Sequence, residues 1–575
     1  MTSNNYSHRL LALCSACCVF GATMAQEGHH RYDDAMQMWR LTENAAGLSI
    51  DHVRNRGYAE FDLQHAEGDY RRVQEGGQRN QLSFQTERYQ SVGKYLVGYG
   101  RFSFGMDRTK DRAWADVMRP YLSNPFYGGS SVHGKYDSQQ FDLSAAISTR
   151  PLFKEREDPR QEEIKPAETL NNVRENPLRL IRRRWRLPPK VGHVEEGLRL
   201  GLRLDYRVAD LSRLRDPRSR SELLQYRLSP ALTFTSGNST VGLSGHYDRR
   251  KEKIPNISTV QQDPNLVYYQ LTGLGEATGQ VGGYGAYQRE WVNHELGAEL
   301  TYGLITYLPV SGAQLFSLNS IGIARGKEDV WGQYKFSPGQ FTTYIYKAET
   351  RNRMRANSVI HQIDLEAQWQ QAYADEYRQQ LVQEKDPAKG YTSYRYDTQI
   401  TYGKRQQLTT VDATLHYRAN VYGREDKSTN FYVGSYTSAI TGYIGVKGQL
   451  VGSHTKHLLP LSEQKLQRAN IALEGGHAFF GGRLWLDATA TYSYAAKADL
   501  TLADPSTAVA TEVLLPDMPY YDADYSRGEL SLKYIFPISL KGHKNIFYVK
   551  AYGDIIKAQH SLDRKNVGIA FGLYN

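Results

Sequence analysis

Charged side chains that alternate with apolar ones are the clearest candidates for chemistry in this chain. Between residues 198 and 208, arginine, glycine and aspartate alternate with leucine, tyrosine and valine. Such side chains, turned toward the interior of a barrel, could bind or conduct a charged solute, or brace a closed barrel as ion pairs. The sequence leaves both roles open. The charged residues that we predict to face the lumen are Arg199, Arg203, Asp205, Arg207, Asp364, Glu366, Asp412 and Arg418.

Catalytic motifs give no comparable signal. The chain has no Gly-x-Ser-x-Gly elbow and no His-Glu-x-x-His zinc motif, because His294-Glu295 lacks a second histidine at the required spacing. His246, His361 and His416 lie in or beside predicted strands, where a histidine usually belongs to a polar network. We therefore predict a protein that is not an enzyme.

Two further patterns suggest ligands only superficially. His29, His30, Asp33 and Asp34 are metal-ligand types close together, but a chain terminus lacks the fixed geometry that metal selectivity needs. The glycines of 273–285 are not followed by the Lys-Ser or Lys-Thr of a phosphate loop. We expect no cofactor and no bound metal.

The elements that position the charged residues are strands. Side chains of a strand point alternately to opposite faces, so the 198–208 pattern gives one apolar and one polar face. Mean hydropathy is −0.60, and no stretch after the N-terminus approaches the ~20 apolar residues of a transmembrane helix. The 42 tyrosines suit the aromatic girdles of a membrane barrel.

The predicted fold is therefore all-β, a transmembrane antiparallel β-barrel. About 14 strands are expected, within a range of roughly 12 to 18, from the chain length and strands of about ten residues. The alternative is a soluble sandwich or propeller, whose polar faces would meet solvent. The last strand runs to the C-terminus, with Val567, Ile569, Phe571 and Leu573 on one face. This ending is typical of strands handled by the barrel assembly machinery.

The first 25 residues have the form of a cleavable signal peptide. His8 and Arg9 precede an apolar run, and small residues end at Ala25, after which we place cleavage. The three cysteines lie within this segment, so the mature chain has no thiol. Disulfides and cysteine metal sites are thereby excluded.

The remaining chain divides into a periplasmic N-terminal segment at 26–56 and a barrel at 57–575. A charged insertion interrupts the barrel at 151–193, rich in Glu, Arg and Pro. We predict that its basic run contacts lipopolysaccharide phosphates or a partner; otherwise it is a solvated loop. The residues of this run are Arg182, Arg183, Arg184, Trp185 and Arg186.

The charge balance restricts the partners. The formal net charge is +10, modest for 575 residues, and an exported protein is not expected to meet nucleic acid. Anionic lipopolysaccharide and other outer-membrane lipid, or an anionic solute, are the expected partners.

Short motifs resemble those of an uncharacterised outer-membrane β-barrel family of Bacteroidetes. They comprise the segment from Trp39 to Leu48, the strand Leu204-Asp205-Tyr206-Arg207 with the following Asp216-Pro217-Arg218 and Tyr226-Arg227-Leu228, and the segment from Tyr247 to Glu252. The resemblance implies an outer-membrane location in a Gram-negative cell and a porin-like barrel. It implies no activity and no catalytic residues.

Three functions follow from the sequence. The leading hypothesis is a non-enzymatic outer-membrane barrel that passes or binds a small solute, as an accessory to an uptake system. The first alternative is a structural or adhesion barrel that acts through its loops. The second is a barrel enzyme acting on lipid or peptide.

Overall fold

The computed structural model describes residues 26–51, 55–114, 116, 128–152, 195–255, 257–258, 267–273, 276–281, 288–307, 313–332, 336–385, 390, 392–424, 438–540 and 543–574. The predicted signal peptide 1–25 lies outside these ranges. So does most of the predicted insertion, including Arg182, Arg183, Arg184, Trp185 and Arg186.

Within these ranges, 18 long strands form one closed antiparallel sheet. Each strand pairs with the next along the chain, and the last pairs with the first, from Tyr58 opposite Tyr574 to Gly68 opposite Arg564. The strands are β1 (Arg56–Gly68), β2 (Gln78–Val92), β3 (Leu96–Arg112), β4 (Gly134–Thr149), β5 (Gly197–Arg213), β6 (Arg218–Ser236), β7 (Ser239–Ile254), β8 (Arg289–Tyr307), β9 (Gln314–Gly332), β10 (Gly339–Ala356), β11 (Val359–Lys385), β12 (Thr392–Arg424), β13 (Ser438–His457), β14 (Ser462–Phe479), β15 (Leu484–Thr501), β16 (Tyr525–Leu540), β17 (His543–Ala558) and β18 (Asp563–Tyr574).

The all-β closed barrel was predicted correctly, but the expected number of about 14 strands was wrong. The observed 18 strands are the upper limit of the expected range. The estimate assigned too many residues to loops. Gly237 and Asn238 alone join β6 to β7, and Asn357 and Ser358 alone join β10 to β11, which leaves more of the chain for strands.

The two ends of the barrel differ in their connections. We call the end at which β1 begins and β18 ends the terminal end, and the opposite end the far end. Most connections at the terminal end are short turns, although the connections at 150–196 and 425–437 are long. At the far end, long connections at 113–133, 255–288 and 502–524 join the strands. The predicted insertion 151–193 therefore belongs to the terminal end.

The outward face of the sheet is apolar. On β5, Leu200, Leu202, Leu204 and Tyr206 are between 40% and 46% exposed, whereas the intervening Arg199 is 1% exposed. The alternation seen in the sequence thus separates an apolar outward face from a polar inner face. None of the helices among the described residues is long and apolar enough to cross a membrane.

Candidate functional site: a polar chamber beside an N-terminal plug

The N-terminal segment 26–51 packs against the inner face of the barrel at the terminal end, and we call it the plug. It consists of helix α1 (Gln26–Met36) and two 3-10 turns, Trp39–Leu41 and Ala45–Ser49. The side chain of Asn44 caps the second turn by accepting a backbone N–H hydrogen bond at 3.1 Å. The sequence assigned these residues to a periplasmic segment and gave no signal that they enter the barrel.

Glycines on the inner face make room for the plug. A side chain at Gly201 would collide with the backbone of Ala46, and one at Gly242 would collide with the side chain of Asn44. Beside them, the hydroxyl of Ser148 donates a hydrogen bond of 2.8 Å to the carbonyl of Ala46. The wall is therefore shaped for this segment, with small residues where the backbones approach closely.

Ion pairs hold helix α1 against the wall. Glu27 lies 3.0 Å from the Lys533 ammonium, and Arg31 lies 2.9 Å from Glu27 and 3.0 Å from Asp487. The hydroxyl of Tyr574 donates to the same carboxylate of Glu27. Burial alone would raise the pKa of Glu27, but Lys533 and Arg31 outweigh it and lower the pKa to about 2. Glu27 is therefore ionised at any physiological pH.

Glu43, between the two turns of the plug, makes a second set of ion pairs. Its carboxylate lies 2.6 Å from Arg227, 2.9 Å from His246 and 3.6 Å from Lys347. The other ring nitrogen of His246 lies 3.3 Å from Glu295. Burial would raise the pKa of Glu43, but the hydrogen bond from His246 and the charge of Arg227 lower it to about 2. We call Glu43 together with Arg227, His246 and Lys347 the latch.

Apolar contacts complete the seat of the plug in three small, separate clusters. Tyr32 packs with Ile360 in one, and Trp39 with Leu318 in another. Leu48 packs with Tyr89 in the third, where the Tyr89 hydroxyl donates to the Leu48 carbonyl at 2.6 Å. Because the clusters are separated by charged pairs, the plug has no continuous apolar core with the wall.

Two adjoining cavities lie beside the latch, with volumes of about 220 and 360 Å³, and together we call them the chamber. They share Arg203, Asp205 and Arg227 as lining residues. The smaller is also lined by the plug residues Thr42 and Glu43. Charged residues of both signs line the two cavities, the others being Arg101, Asp142, Arg207, Asp248, Glu299, Lys347 and Glu349. The chamber thus offers paired hydrogen-bonding groups to a polar solute.

The structure brings three of the predicted site residues together in this chamber. Arg203 lies 2.9 Å from Asp205, and Arg207 lies 3.5 Å from Asp142 and donates to Gln140 at 2.6 Å. Arg199 is on the same strand but buried at the edge of the barrel, where it donates to a threonine hydroxyl at 2.8 Å. It does not line either cavity.

The other four predicted residues lie on β11 and β12 and do not line these two cavities. Each contacts a polar partner, so they form local pairs rather than one site. The pairs are Asp364 with Arg353, Glu366 with Arg351 at 2.8 Å, Asp412 with Gln449 at 3.0 Å, and Arg418 with Glu474 at 2.6 Å.

Sequence reasoning missed the latch. Arg227, His246 and Lys347 occupy alternating positions of β6, β7 and β10, so the period-two pattern could have found them. Glu43 lies in a segment without periodicity, and its three contacts are far away in sequence. No local signal identifies it.

Two of the four candidate metal ligands near the N-terminus, His30 and Asp34, contact arginine side chains. Asp34 lies 2.7 Å from Arg56 and 2.9 Å from Arg40, and the His30 ring lies 3.2 Å from Arg56. Burial and the charge of Arg56 lower the pKa of His30 to about 4. Among the described residues, no group of three or more His, Cys, Asp or Glu is arranged to hold a metal ion.

The described residues among 113–133, 257–281 and 502–524 lie at the far end, and we call them the cap. A small sheet pairs Val267–Gly273 with Gly128–Ser130 and Glu276–Val281, and residues 510–514 continue into helix α2 (Leu515–Asp522). One apolar cluster of buried side chains joins these segments to the inner faces of the strands. Its members include Trp114, Tyr268 and Val513 of the cap and Trp291, Phe341 and Leu408 of the barrel.

Trp114 lies at the centre of the cap. Its side chain is fully buried, its ring stacks on Tyr269 with centroids 4.6 Å apart, and its indole N–H donates to Glu512 at 3.1 Å. Helix α2 is fixed to the neighbouring loop by Asp517, which accepts the backbone N–H of Val73 at 2.6 Å. Among the described residues, the interior of the barrel thus holds an apolar cluster at the far end and the plug at the terminal end.

A family model for a family of unknown function, DUF6850, matches residues 45–156 and 191–575. The chain belongs to this family. The match to DUF6850 includes the latch residue Arg227 and all eight predicted lumen residues, and it passes over 157–190, within the predicted insertion. No curated protein matches the chain significantly.

Solved structures resemble this DUF6850 chain only remotely. One is the siderophore receptor PiuA from Acinetobacter baumannii, with 8% identity over 91% of this chain and 82% of that chain and a TM-score of 0.34. Others are the ferric-catecholate import receptor Fiu from E. coli K12 (6%, 90% and 81%, 0.33) and the FrpB iron transporter from Neisseria meningitidis (9%, 92% and 83%, 0.32). These values are too low to transfer a ligand or a partner to this chain.

Proposed function

We propose that the chain is a non-enzymatic outer-membrane barrel of a Gram-negative cell that admits a small polar solute and releases it when the plug is displaced. The apolar outward face of a closed barrel supports the membrane location, since only a barrel without edges satisfies its backbone in lipid. Most connections at the terminal end are short, which supports a periplasmic position for that end. Export through a signal peptide at 1–25 and insertion by the barrel assembly machinery follow from this location.

The observation that carries the proposal is the plug itself. A charged chamber lies directly against a segment of the same chain that is held by ion pairs. Release of the plug would hydrate both members of each ion pair, which offsets much of the lost attraction, so such a seat can be released and re-formed. Because the lining residues carry both signs, we expect a zwitterionic or neutral polar solute rather than a simple anion. Displacing the plug from the periplasm would require an uptake partner on that side.

The orientation changes the role proposed for the basic insertion. Its connection leaves the barrel at the terminal end, so in this orientation it faces the periplasm. We therefore propose that Arg182, Arg183, Arg184, Trp185 and Arg186 contact a periplasmic partner rather than lipopolysaccharide.

The cap favours a second candidate, a structural barrel that is permanently closed and acts through its loops. Its apolar core is continuous, and opening it would expose buried aromatic rings. The two candidates differ in whether removing the plug opens a path through the barrel.

Single-channel conductance in planar bilayers separates the two candidates. The mature chain is compared with a chain lacking residues 26–51, and the heat-dependent gel mobility of each confirms that the barrel is folded. We expect rare openings in the mature chain and frequent openings in the truncated chain. A folded, inserted truncated chain that stays silent would reject gated passage and support the closed structural barrel.

A further inference from the structure

A recess of about 780 Å³ lies on the outward face of the barrel, across the seam where β18 pairs with β1. Strands β18, β1, β2, β3 and β4 line it. Among its lining residues, Leu63, Met106 and Ile569 point away from the barrel interior and are 41%, 42% and 38% exposed. The recess is therefore separate from the chamber and has no part in the function proposed above.

A row of five phenylalanines bounds the recess on the side of the terminal end. Phe571 pairs with Phe61, Phe61 with Phe84, Phe84 with Phe104, and Phe104 with Phe141. The rings of Phe104 and Phe141 have centroids 4.7 Å apart. Five large rings in register across adjacent strands form a ridge, because same-face side chains of paired residues stand side by side.

The floor of the recess is the next outward row toward the far end. Ile569, Leu63, Leu82 and Met106 occupy it in successive strands, and these side chains are shorter or more flexible than the phenylalanine rings. The step from rings to aliphatic side chains makes the surface concave. Because the floor lies within the apolar outward face, its natural contact is hydrocarbon.

The rim on the far-end side is polar. His65, Asn80, Arg108 and Asp137 follow in register across β1 to β4, two residues beyond the floor. Nδ1 of His65 lies 2.8 Å from Oδ1 of Asn80, and Arg108 binds Asp137 through two contacts of 2.8 and 3.1 Å. The next outward row carries Lys565, Glu67, Gln78 and Lys110 in successive strands. The surface thus changes from aromatic to aliphatic to charged toward the far end.

We propose that this recess binds one lipopolysaccharide molecule, with an acyl chain on the floor against the phenylalanine ridge and a phosphate at Arg108. The apolar floor and the charged rim, where Arg108, Lys110 and Lys565 outnumber Glu67 and Asp137, match an amphiphile whose head points toward the far end. In the orientation proposed above, the far end lies on the side of the outer leaflet. In this respect the inference rests on the proposed function. A guanidinium shared between Asp137 and a phosphate keeps its charge-assisted hydrogen bonds.

The test is native mass spectrometry of the purified mature chain after exposure to a deep-rough lipopolysaccharide carrying two phosphates. Met106→Trp fills the floor, and Arg108→Gln removes the guanidinium at the rim. Ile321→Trp is the matched control, because Ile321 is an outward residue of β9 that is 61% exposed and lies outside the recess. Heat-dependent gel mobility confirms that each variant is folded.

We expect the mature chain and Ile321→Trp to retain one lipopolysaccharide molecule each. Met106→Trp should reduce retention about tenfold, as a loss near 1.4 kcal/mol would. Arg108→Gln should reduce retention of the phosphorylated form but not of a dephosphorylated form. Equal losses in Met106→Trp and Ile321→Trp, or equal retention of a phospholipid by the mature chain, would overturn the proposal.

Insertion into lipid vesicles distinguishes this failure from failure of the proposed function. A chain that inserts but retains no lipopolysaccharide disproves only the lipid site. A folded chain that does not insert disproves the membrane location and the lipid site with it.

Discussion

The plug and the cap are held against the inner face of the barrel by different means. The plug is held through separate ion pairs at Glu27 and Glu43 and three small apolar clusters. The cap is held through one continuous apolar cluster centred on Trp114. Release of the plug would return both members of each ion pair to water, which offsets much of the lost attraction, whereas exposing buried aromatic rings costs several kcal/mol. Under the function proposed above, the plug is therefore the closure expected to open and the cap the closure expected to stay.

The largest effect is expected in the cap. Trp114→Ala should lower the free energy of unfolding by about 3–5 kcal/mol, because it leaves a cavity in a fully packed cluster. Urea unfolding of the barrel in detergent, followed by circular dichroism, measures the loss. Tyr95→Ala is the control, since Tyr95 is 70% exposed and should change the free energy little. Losses of similar size in both variants would show that the cap is not a packed core.

The next effect is expected at the latch. Glu43→Gln removes the carboxylate that faces Arg227 and His246, so the plug should detach about tenfold more often, as a loss near 1.4 kcal/mol implies. Opening frequency in planar bilayers measures this change. Glu290→Gln is the matched control. Glu290 pairs with Lys251 at 3.0 Å, and neither residue lines the chamber. Equal opening frequencies in the two variants would contradict the role of the latch.

A third prediction concerns pH. Burial raises the pKa of Asp51 to about 7, against the hydrogen bonds that it accepts from the N–H groups of Trp39 and Arg40. The pKa of Asp51 in a released plug is near 3.9, so Asp51 binds its proton more tightly in the seated plug. The stabilisation of the seated plug by this proton is complete below pH 3.9 and is lost as the pH rises through 7. Opening frequency should therefore rise between pH 6 and pH 8, by less than about tenfold per unit.

Asp51→Asn provides the check on this pH dependence. The amide oxygen still accepts one of the two backbone hydrogen bonds, and the side chain does not titrate. The rise in opening frequency should disappear in this variant, and a rise of unchanged size would assign it to another group.

The smallest effect is expected at the edge of the cap. Burial raises the pKa of Asp517 to about 6, so its stabilising contribution is present below its unfolded value and is lost as the pH rises through 6. Asp517→Asn keeps an acceptor for the N–H of Val73 and should change the free energy of unfolding at pH 7 by less than about 1 kcal/mol. Hydrogen exchange of the backbone amides of residues 515–522 measures this change in free energy. Release of the whole cap in this variant would mean that one carboxylate, not the apolar cluster, holds it closed.

The sequence by itself determined the strands and their two faces. Alternation along a strand is a local property, so Leu200, Leu202 and Leu204 could be separated from Arg203 and Asp205 without the fold. The same pattern favoured an antiparallel barrel over a soluble sandwich or propeller. The number of strands did not, because the lengths of turns such as Gly237–Asn238 depend on which strands pair.

Only the tertiary structure decided what fills and surrounds the barrel. The latch joins Glu43 to Arg227, His246 and Lys347, between about 180 and 300 residues away along the chain. The phenylalanine ridge joins Phe61 to Phe571 across the seam, and no local pattern contains that pairing. Such contacts depend on register and closure, which are set by the whole sheet rather than by any one segment.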